Sequence, residues 1–230
     1  MESQALISKG ETASLQNSWK IYKAQWKTFI ALTLFVLLVY GIYSIFDIIV
    51  GTTFFALSDG GYNEGAFLIS NLIRFPFYAV FLVISSLLGI FFYAIPALYF
   101  DKNKVITWKE PYKVLLSKFG RMFLAGLLFT IAICLGYLFC IIPGILITFL
   151  TPVYVNKIIC SDTPIFKAFT SSFDSLFKSS SWGGFIGLSF LAGIIYFIST
   201  ICTCGIGALV TFPMFCIYIQ HLAYNKGILN

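Results

Sequence analysis

Residues 28–50 read TFIALTLFVLLVYGIYSIFDIIV, an apolar run whose single charged residue is Asp47. A helix rises about 1.5 Å per residue, so roughly 20 apolar residues cross a hydrocarbon core of about 30 Å. The run is continuously apolar, whereas the strand of a membrane barrel alternates between apolar and polar residues. Residues 28–50 therefore predict a transmembrane helix.

The rest of the chain has the same character. Of its 230 residues, 59% are hydrophobic and only 10% are charged, and the mean hydropathy is +0.92, far from the composition of a soluble domain. We expect an all-α integral membrane protein with a cytoplasmic N-terminal segment, residues 1–27, that carries an amphipathic helix. Residues 28–230 are expected to form one six-helix membrane domain, with spans at about 28–50, 76–100, 122–142, 144–159, 182–202 and 205–224.

Charge placement gives the expected orientation. Every lysine and arginine except Arg74 falls before the first span, between the second and third, at the end of the fourth span (Lys157) or between the fourth and fifth, or after the sixth. Basic residues of short loops collect on the cytoplasmic side, so both termini are predicted to be cytoplasmic. The opposite side then holds a longer loop, residues 51–75, and tight turns at Pro143–Gly144 and around Thr203–Gly207. The net charge of +6 is read as an orientation signal that also attracts anionic headgroups, and nucleic acid is not expected as a partner.

Three segments that precede outward spans carry aromatic and aliphatic residues at helical spacing. Their other faces are rich in lysine, which is typical of helices that lie in the membrane interface. The candidate lipid contacts are Trp19, Tyr22, Trp26, Trp108, Tyr112, Phe119, Phe169, Phe173, Phe177 and Trp182.

Each inward span carries a proline near its cytoplasmic half, at Pro96, Pro152 and Pro213. Proline removes a backbone hydrogen bond and kinks a helix. The similar separations predict three hairpin repeats, each an interfacial helix, an outward span, a turn and a kinked inward span. The alternative, that prolines are simply common in membrane helices, stays open.

Few residues could support chemistry. Asp47 and Arg74 could form an ion pair across the first hairpin at the outer surface or remain separate solvated charges. The single histidine, His221, supplies no metal cluster or catalytic triad, and no phosphate-binding loop is present. We therefore predict no enzyme, no cofactor, and no catalytic or metal-binding residue. The six cysteines are expected to pack as small apolar residues, while a disulfide of Cys140 with Cys202 or Cys204 is left open.

One stretch resembles a known family. Ile142-Pro143-Gly144 leads to Pro152, an acidic turn at Asp162, the sequence Ala168-Phe169-Thr170-Ser171 and Trp182. Over about residues 101–224 this pattern resembles the membrane domain of glycerophosphodiester phosphodiesterases and the YciC-like uncharacterised bacterial inner-membrane proteins. Serines precede Trp182 where that family usually has a Lys-Gly pair. The resemblance implies a bacterial inner-membrane location and no established activity.

Three functions remain as hypotheses. The leading one is a non-enzymatic multi-pass membrane protein that acts as a lipid-associated scaffold or lipid-handling component. Its partners would be membrane lipids, with a protein partner or a homo-oligomer left open. The second is a small transporter or channel, and the third is an accessory or immunity subunit of a membrane complex. The transporter path would be lined by Thr148, Thr151, Asn156, Ser189, Tyr196 and Thr211.

Overall fold

A computed structural model describes residues 6–57, 64–107, 109–161 and 163–229. Most residues in these ranges are helical. They contain nine α-helices: α1 Leu15–Leu57, α2 Glu64–Lys102, α3 Lys109–Ser117, α4 Phe119–Phe139, α5 Ile141–Phe149, α6 Thr151–Cys160, α7 Ile165–Lys178, α8 Trp182–Cys202 and α9 Ala208–Asn225.

Five helical segments of the described chain are long and apolar enough to cross a membrane. They are Leu15–Ala56, Glu64–Lys102, Phe119–Phe139, Ile141–Cys160, which joins α5 and α6, and Trp182–Cys202. The predicted sixth span, residues 205–224, corresponds to α9, which is not among the five. Helix α9 packs against α1, α2, α6 and α8, and all its residues from Cys216 to Tyr224 are buried. Neighbouring helices thus cover α9, and it carries Gln220 and His221 without exposing them to lipid.

The first hairpin differs from the prediction at both ends. The N-terminal amphipathic segment is not a separate helix, because α1 runs unbroken from Leu15 to Leu57 and no glycine or proline occurs before Gly41 to interrupt it. The described parts of the predicted outer loop, residues 51–57 and 64–75, are also helical, since α1 ends at Leu57 and α2 begins at Glu64 and continues through Pro76. Residues 58–63 of that loop lie outside the described residues. Its apolar residues favour helix, in which the backbone polar groups satisfy one another.

The turn of the second hairpin lies at Cys140, not at Pro143–Gly144 as predicted. Cys140 has an extended backbone with φ −171° and ψ 148°, and α5 begins at the next residue. Pro143 fits in the first turn of α5, where backbone N–H groups lack intrahelical partners. Gly144 lies against the ring of Tyr137, where an added Cβ would be 2.5 Å from Cγ of that ring. Close packing of α4 on α5 therefore sets the turn.

The three prolines occupy different positions in their helices. Pro96 lies inside α2 and Pro213 inside α9. Pro152 instead lies in the first turn of α6, directly after the break at Leu150 between α5 and α6. The span that contains Pro152 is thus divided into two helices.

Lysine and arginine residues gather at one end of the bundle, which we call the basic end. It is formed by the start of α1, the ends of α2, α6 and α9, and by α3 and α7. Contacts hold these parts together: Arg121 donates hydrogen bonds to the carbonyls of Ser161, at 3.1 Å, and Thr163. The opposite, far end contains Cys140 and the turn at residues 203–207. There the left-handed backbone of Cys204 (φ 50°) and Gly205 (φ 88°) reverses the chain between α8 and α9.

The core lies toward the basic end. Fully buried side chains there include Ile21, Tyr99, Tyr154 and Ile158. Toward the far end, large apolar side chains are exposed on helix surfaces: Ile42 of α1, for example, is 62% exposed. This distribution is typical of a membrane protein whose helix surfaces face lipid rather than water.

The segment before α1 is fixed across the basic end. Ile7 is buried in the core, and its N–H donates to Oη of Tyr99 at 3.0 Å while that hydroxyl donates to the Ile7 carbonyl at 3.3 Å. The side-chain amide of Asn225 donates to the carbonyl of Glu11 at 3.3 Å, and the ammonium of Lys9 lies 4.8 Å from the centre of the Tyr224 ring. Residues 6–14 thereby join the beginning of the chain to α2 and α9.

Replacing Tyr99 with phenylalanine removes the hydroxyl that satisfies both backbone groups of Ile7. Leaving buried polar groups unpaired costs about 1–3 kcal/mol, so we expect faster hydrogen–deuterium exchange in residues 6–14, with α8 unchanged. Tyr40→Phe is the control, because Tyr40 is 46% exposed and its edge contact with Phe81 survives loss of the hydroxyl. Equal exchange in the two variants would contradict this role of Tyr99.

Candidate lipid interface at the basic end

Helix α7 packs against the bundle through one narrow face. Ala168, Ser172 and Leu176, spaced four residues apart, are buried, and Lys167, Thr170 and Lys178 are exposed. Such a two-faced helix outside the spanning segments is the form expected of an interfacial helix.

The phenylalanine stripe of α7 is divided between core and surface. Phe169 packs on the bundle, with its ring 6.3 Å from Phe129 and 6.0 Å from Tyr154, so it belongs to the core rather than to the lipid surface. Phe173 is half-buried and follows it at 5.2 Å. Phe177 is 48% exposed, and its ring lies 5.8 Å from that of Trp182.

The strongest exposed aromatic on α7 is Phe166, which is 70% exposed and was not among the predicted contacts. Phe166 lies on the side of α7 away from the buried face that contains Leu176, whereas Phe169 lies beside that face. A helical wheel centred on the buried residues 168, 172 and 176 would have placed Phe166 outward.

Helix α1 contributes two exposed tryptophans to the same end. Trp19 is 40% and Trp26 48% exposed, and the ammonium groups of Lys23 and Lys27 lie 5.7 and 5.8 Å from their respective ring centres. Tyr22 does not join them. It is only 5% exposed, because its ring is stacked between Trp19 and Phe29, so this predicted lipid contact is part of the core.

Helices α3, α4 and α8 complete the surface. Tyr112 of α3 is 53%, Phe119 at the start of α4 is 55% and Trp182 at the start of α8 is 45% exposed. Trp108 lies outside the described residues. We call the exposed aromatic residues of the basic end the aromatic belt: Trp19, Trp26, Tyr112, Phe119, Phe166, Phe177 and Trp182.

Lys157 fixes the orientation of α7. Its ammonium donates to the carbonyl of Ser171 at 2.6 Å, to Oγ of Ser171 at 3.0 Å and to Oγ of Ser175 at 2.6 Å. Three donors on one ammonium thus bind α6 to α7. Lys157 lies near the end of the predicted fourth span, residues 144–159, and it is the single charged residue of Ile141–Cys160. A lone charge inside a span is itself a signal of a specific role.

In the described part of the chain, three of the polar residues proposed for a transport path line two different crevices. Thr148 lines a crevice with Phe190 and Phe197, whereas Tyr196 and Thr211 line another between α8 and α9. Asn156 donates to the hydroxyl of Tyr224 at 2.7 Å, Thr151 is half-buried and Ser189 fully buried.

Two further sequence features have plain structural outcomes. The six cysteines are free thiols, so Cys140 is not bonded to Cys202 or Cys204. His221 is fully buried, with its ring 4.9 Å from that of Phe100. Across the described residues, no cluster of three or more His, Cys, Asp or Glu could hold a metal ion.

Asp47 and Arg74 lie together across the α1–α2 hairpin. Nε of Arg74 is 3.2 Å from Oδ1 of Asp47, and Nη2 donates to the Asp47 carbonyl at 3.3 Å. Gly51, one helical turn along α1, leaves the room for this guanidinium, since an added Cβ would be 2.6 Å from Nη2. The pair joins two helices.

Gly51→Ala should break this ion pair, because the flexible guanidinium moves more easily than the helix. A partly exposed pair contributes about 0.2–1 kcal/mol. A double-mutant cycle of Asp47→Asn and Arg74→Gln should therefore give a coupling of that size in the native chain and none in the Gly51→Ala background. In the matched control Gly41→Ala, where an added Cβ meets nothing within 4 Å, the coupling should persist. Persistent coupling in Gly51→Ala would contradict the steric role of Gly51.

A second ionic cluster connects α3 to the end of α2. Oε2 of Glu110 lies 3.3 Å from Nζ of Lys102 and 3.4 Å from Nζ of Lys104. Partial burial acts to raise the pKa of the Glu110 carboxyl, but hydrogen bonds and charge from the two lysines outweigh burial and lower that pKa below its usual value. The ionised carboxylate is therefore favoured when α3 is docked.

Docking of α3 should weaken in acid. Because the pKa of Glu110 is lowered in the folded state, its stabilising effect is full above the usual pKa and is lost as the pH falls through the lowered value. Hydrogen–deuterium protection of α3, corrected for the intrinsic rate, should fall below about pH 4.3, the usual glutamate value. In Glu110→Gln protection should be low and independent of pH. An unchanged acid transition in that variant would show that another group is responsible.

No protein-family model, curated protein or solved structure matches this chain. The fold itself defines the class of protein, a multi-helix chain with five segments that are long and apolar enough to span a membrane. The resemblance to the phosphodiesterase-linked membrane domain and the YciC-like proteins stays a prediction.

Proposed function

We propose that the chain is a non-enzymatic multi-pass membrane protein that associates with lipid through its basic end, as a scaffold or lipid-handling component. The aromatic belt is the observation that carries this proposal. Its seven residues come from α1, α3, α4, α7 and α8 and are each at least 40% exposed. Amphipathic aromatic rings beside lysines are favoured at headgroup depth.

The proposal includes six crossings, with α9 as the sixth. Helix α9 pairs with α8 through the turn at residues 203–207, just as α2 pairs with α1 and α5–α6 with α4. An even number of crossings keeps the basic segments on one side, which we take to be cytoplasmic. With the family resemblance, this supports a bacterial inner membrane with both termini in the cytoplasm.

Three related hairpins remain part of the proposal. Helices α3 and α7 each precede an outward helix as separate short helices, and the start of α1 occupies the corresponding place while fused to its span. The three units then share an order but not identical boundaries.

We assign structural rather than catalytic roles to the charged residues with described contacts. Asp47–Arg74 joins α1 to α2, Glu110 joins α3 to the end of α2, and Lys157 joins α6 to α7. A transporter is the second candidate, and no described contact favours an accessory or immunity subunit. Lipids are the proposed partners, with a protein partner or homo-oligomer as the alternative.

Tryptophan fluorescence tests the interface. Single-tryptophan variants that keep Trp19, Trp26 or Trp182 should be quenched most by phospholipids brominated near the headgroup, because those rings lie at that depth. Leu38→Trp in a tryptophan-free chain is the control, since Leu38 is 58% exposed on α1 about 18 Å from Trp26 along the helix. It should be quenched most by deep bromines. Strong quenching of Trp19, Trp26 and Trp182 by aqueous iodide alone would reject the proposal.

A further inference from the structure

A slot of about 300 Å³ opens between α1 and α2 beside α3. Ala31, Leu32 and Phe35 of α1 form one wall, and Leu88 and Ile95 of α2 form the other, with Tyr112 of α3 at its basic end. Its volume is at the lower limit of cavities that hold small ligands, about 300–1,000 Å³.

The interior of this slot is apolar. The one hydroxyl of its α1 wall, on Thr28, lies 3.5 Å from the carbonyl of Ile106 and is buried. A cavity of this composition offers water few partners and favours hydrocarbon.

The slot is oriented along the helices and opens sideways. From Thr28 to Phe35 it follows seven residues of α1, a depth of about 10 Å from the basic end. Leu88 and Ile95 are almost fully buried, whereas Phe35 is 54% and Tyr112 53% exposed. The mouth therefore lies on the lipid-facing side of the α1–α2 pair.

Two lysines are sequence neighbours of slot residues at the shallow end. Lys27 directly precedes Thr28 on α1, Lys113 directly follows Tyr112 on α3, and both lysines are exposed. Their ammonium groups attract the phosphate of an anionic headgroup.

We propose that the slot holds the headgroup-proximal part of one acyl chain of an anionic phospholipid, with the headgroup phosphate near Lys27, Lys113 and the Tyr112 hydroxyl. This inference rests on the proposed lipid association and names its ligand class and site.

The test is native mass spectrometry of the full chain released from nanodiscs of mixed phosphatidylglycerol and phosphatidylcholine. We expect one phosphatidylglycerol to be retained in preference to phosphatidylcholine. Ala31→Trp, which fills the slot, should abolish this retention. Leu34→Trp, whose native side chain is 59% exposed, is the matched control and should retain the lipid.

A variant that removes charge tests the headgroup contact without changing the volume of the slot. Lys27→Gln/Lys113→Gln should lower the preference for phosphatidylglycerol by about thirtyfold, from the attraction typical of two basic residues near an anionic surface. Equal retention of the two lipids by the native chain, or unchanged retention in Ala31→Trp, would overturn the assignment.

The outcome is separable from that of the broader proposal. If Trp19, Trp26 and Trp182 are quenched at headgroup depth while Ala31→Trp retains its lipid, the slot assignment fails and the lipid interface stands. If the brominated lipids do not quench those tryptophans, the proposed lipid interface at the basic end is rejected.

Discussion

The constraint on which this structure depends is that hydrocarbon offers the chain no hydrogen bonds. Backbone groups must pair within helices, and polar side chains inside a span must find partners there too. The hydroxyl of Thr33 donates to the carbonyl of Phe29 at 2.7 Å, that of Thr130 to Gly126 at 2.8 Å and that of Thr211 to Gly207 at 2.9 Å. These three hydroxyls are satisfied by carbonyls of their own helices, which can then expose apolar side chains.

The same constraint concentrates interactions at the basic end. Charged side chains are costly in the hydrocarbon, so the lysines, the ionic cluster of Glu110 and the fixed segment before α1 lie where water and headgroups are available. The core is also there, around Tyr99 and Tyr154. Because α9 is covered by other helices at this end, it can bury Gln220 and His221. These two polar residues lower the mean hydropathy of α9, so its composition alone does not identify it as a span.

The sequence was sufficient for the helical class, because this follows from hydropathy. It also gave an ion pair of Asp47 with Arg74 as one of two alternatives, and the structure shows that pair. The sequence was insufficient where packing decides. The break at Cys140 depends on Tyr137 meeting Gly144, and the burial of Tyr22 and Phe169 depends on rings from other segments. Helical periodicity defines a stripe but not the partner that covers it. The slot beside α3 is formed by α1, α2 and α3 together, so no pattern within one stretch of sequence predicts it.

Topology is the most direct test of an account in which one end of the bundle meets the cytoplasmic leaflet. One single-cysteine variant would keep only Cys204 in the far-end turn, and another would carry only Ser180→Cys, between α7 and α8; both positions are exposed. In right-side-out and inverted membrane vesicles, we expect an impermeant maleimide to label the two cysteines from opposite sides, Cys204 from outside and position 180 from the cytoplasm. Labelling of both from the same side would contradict the separation of a basic end from a far end by the membrane.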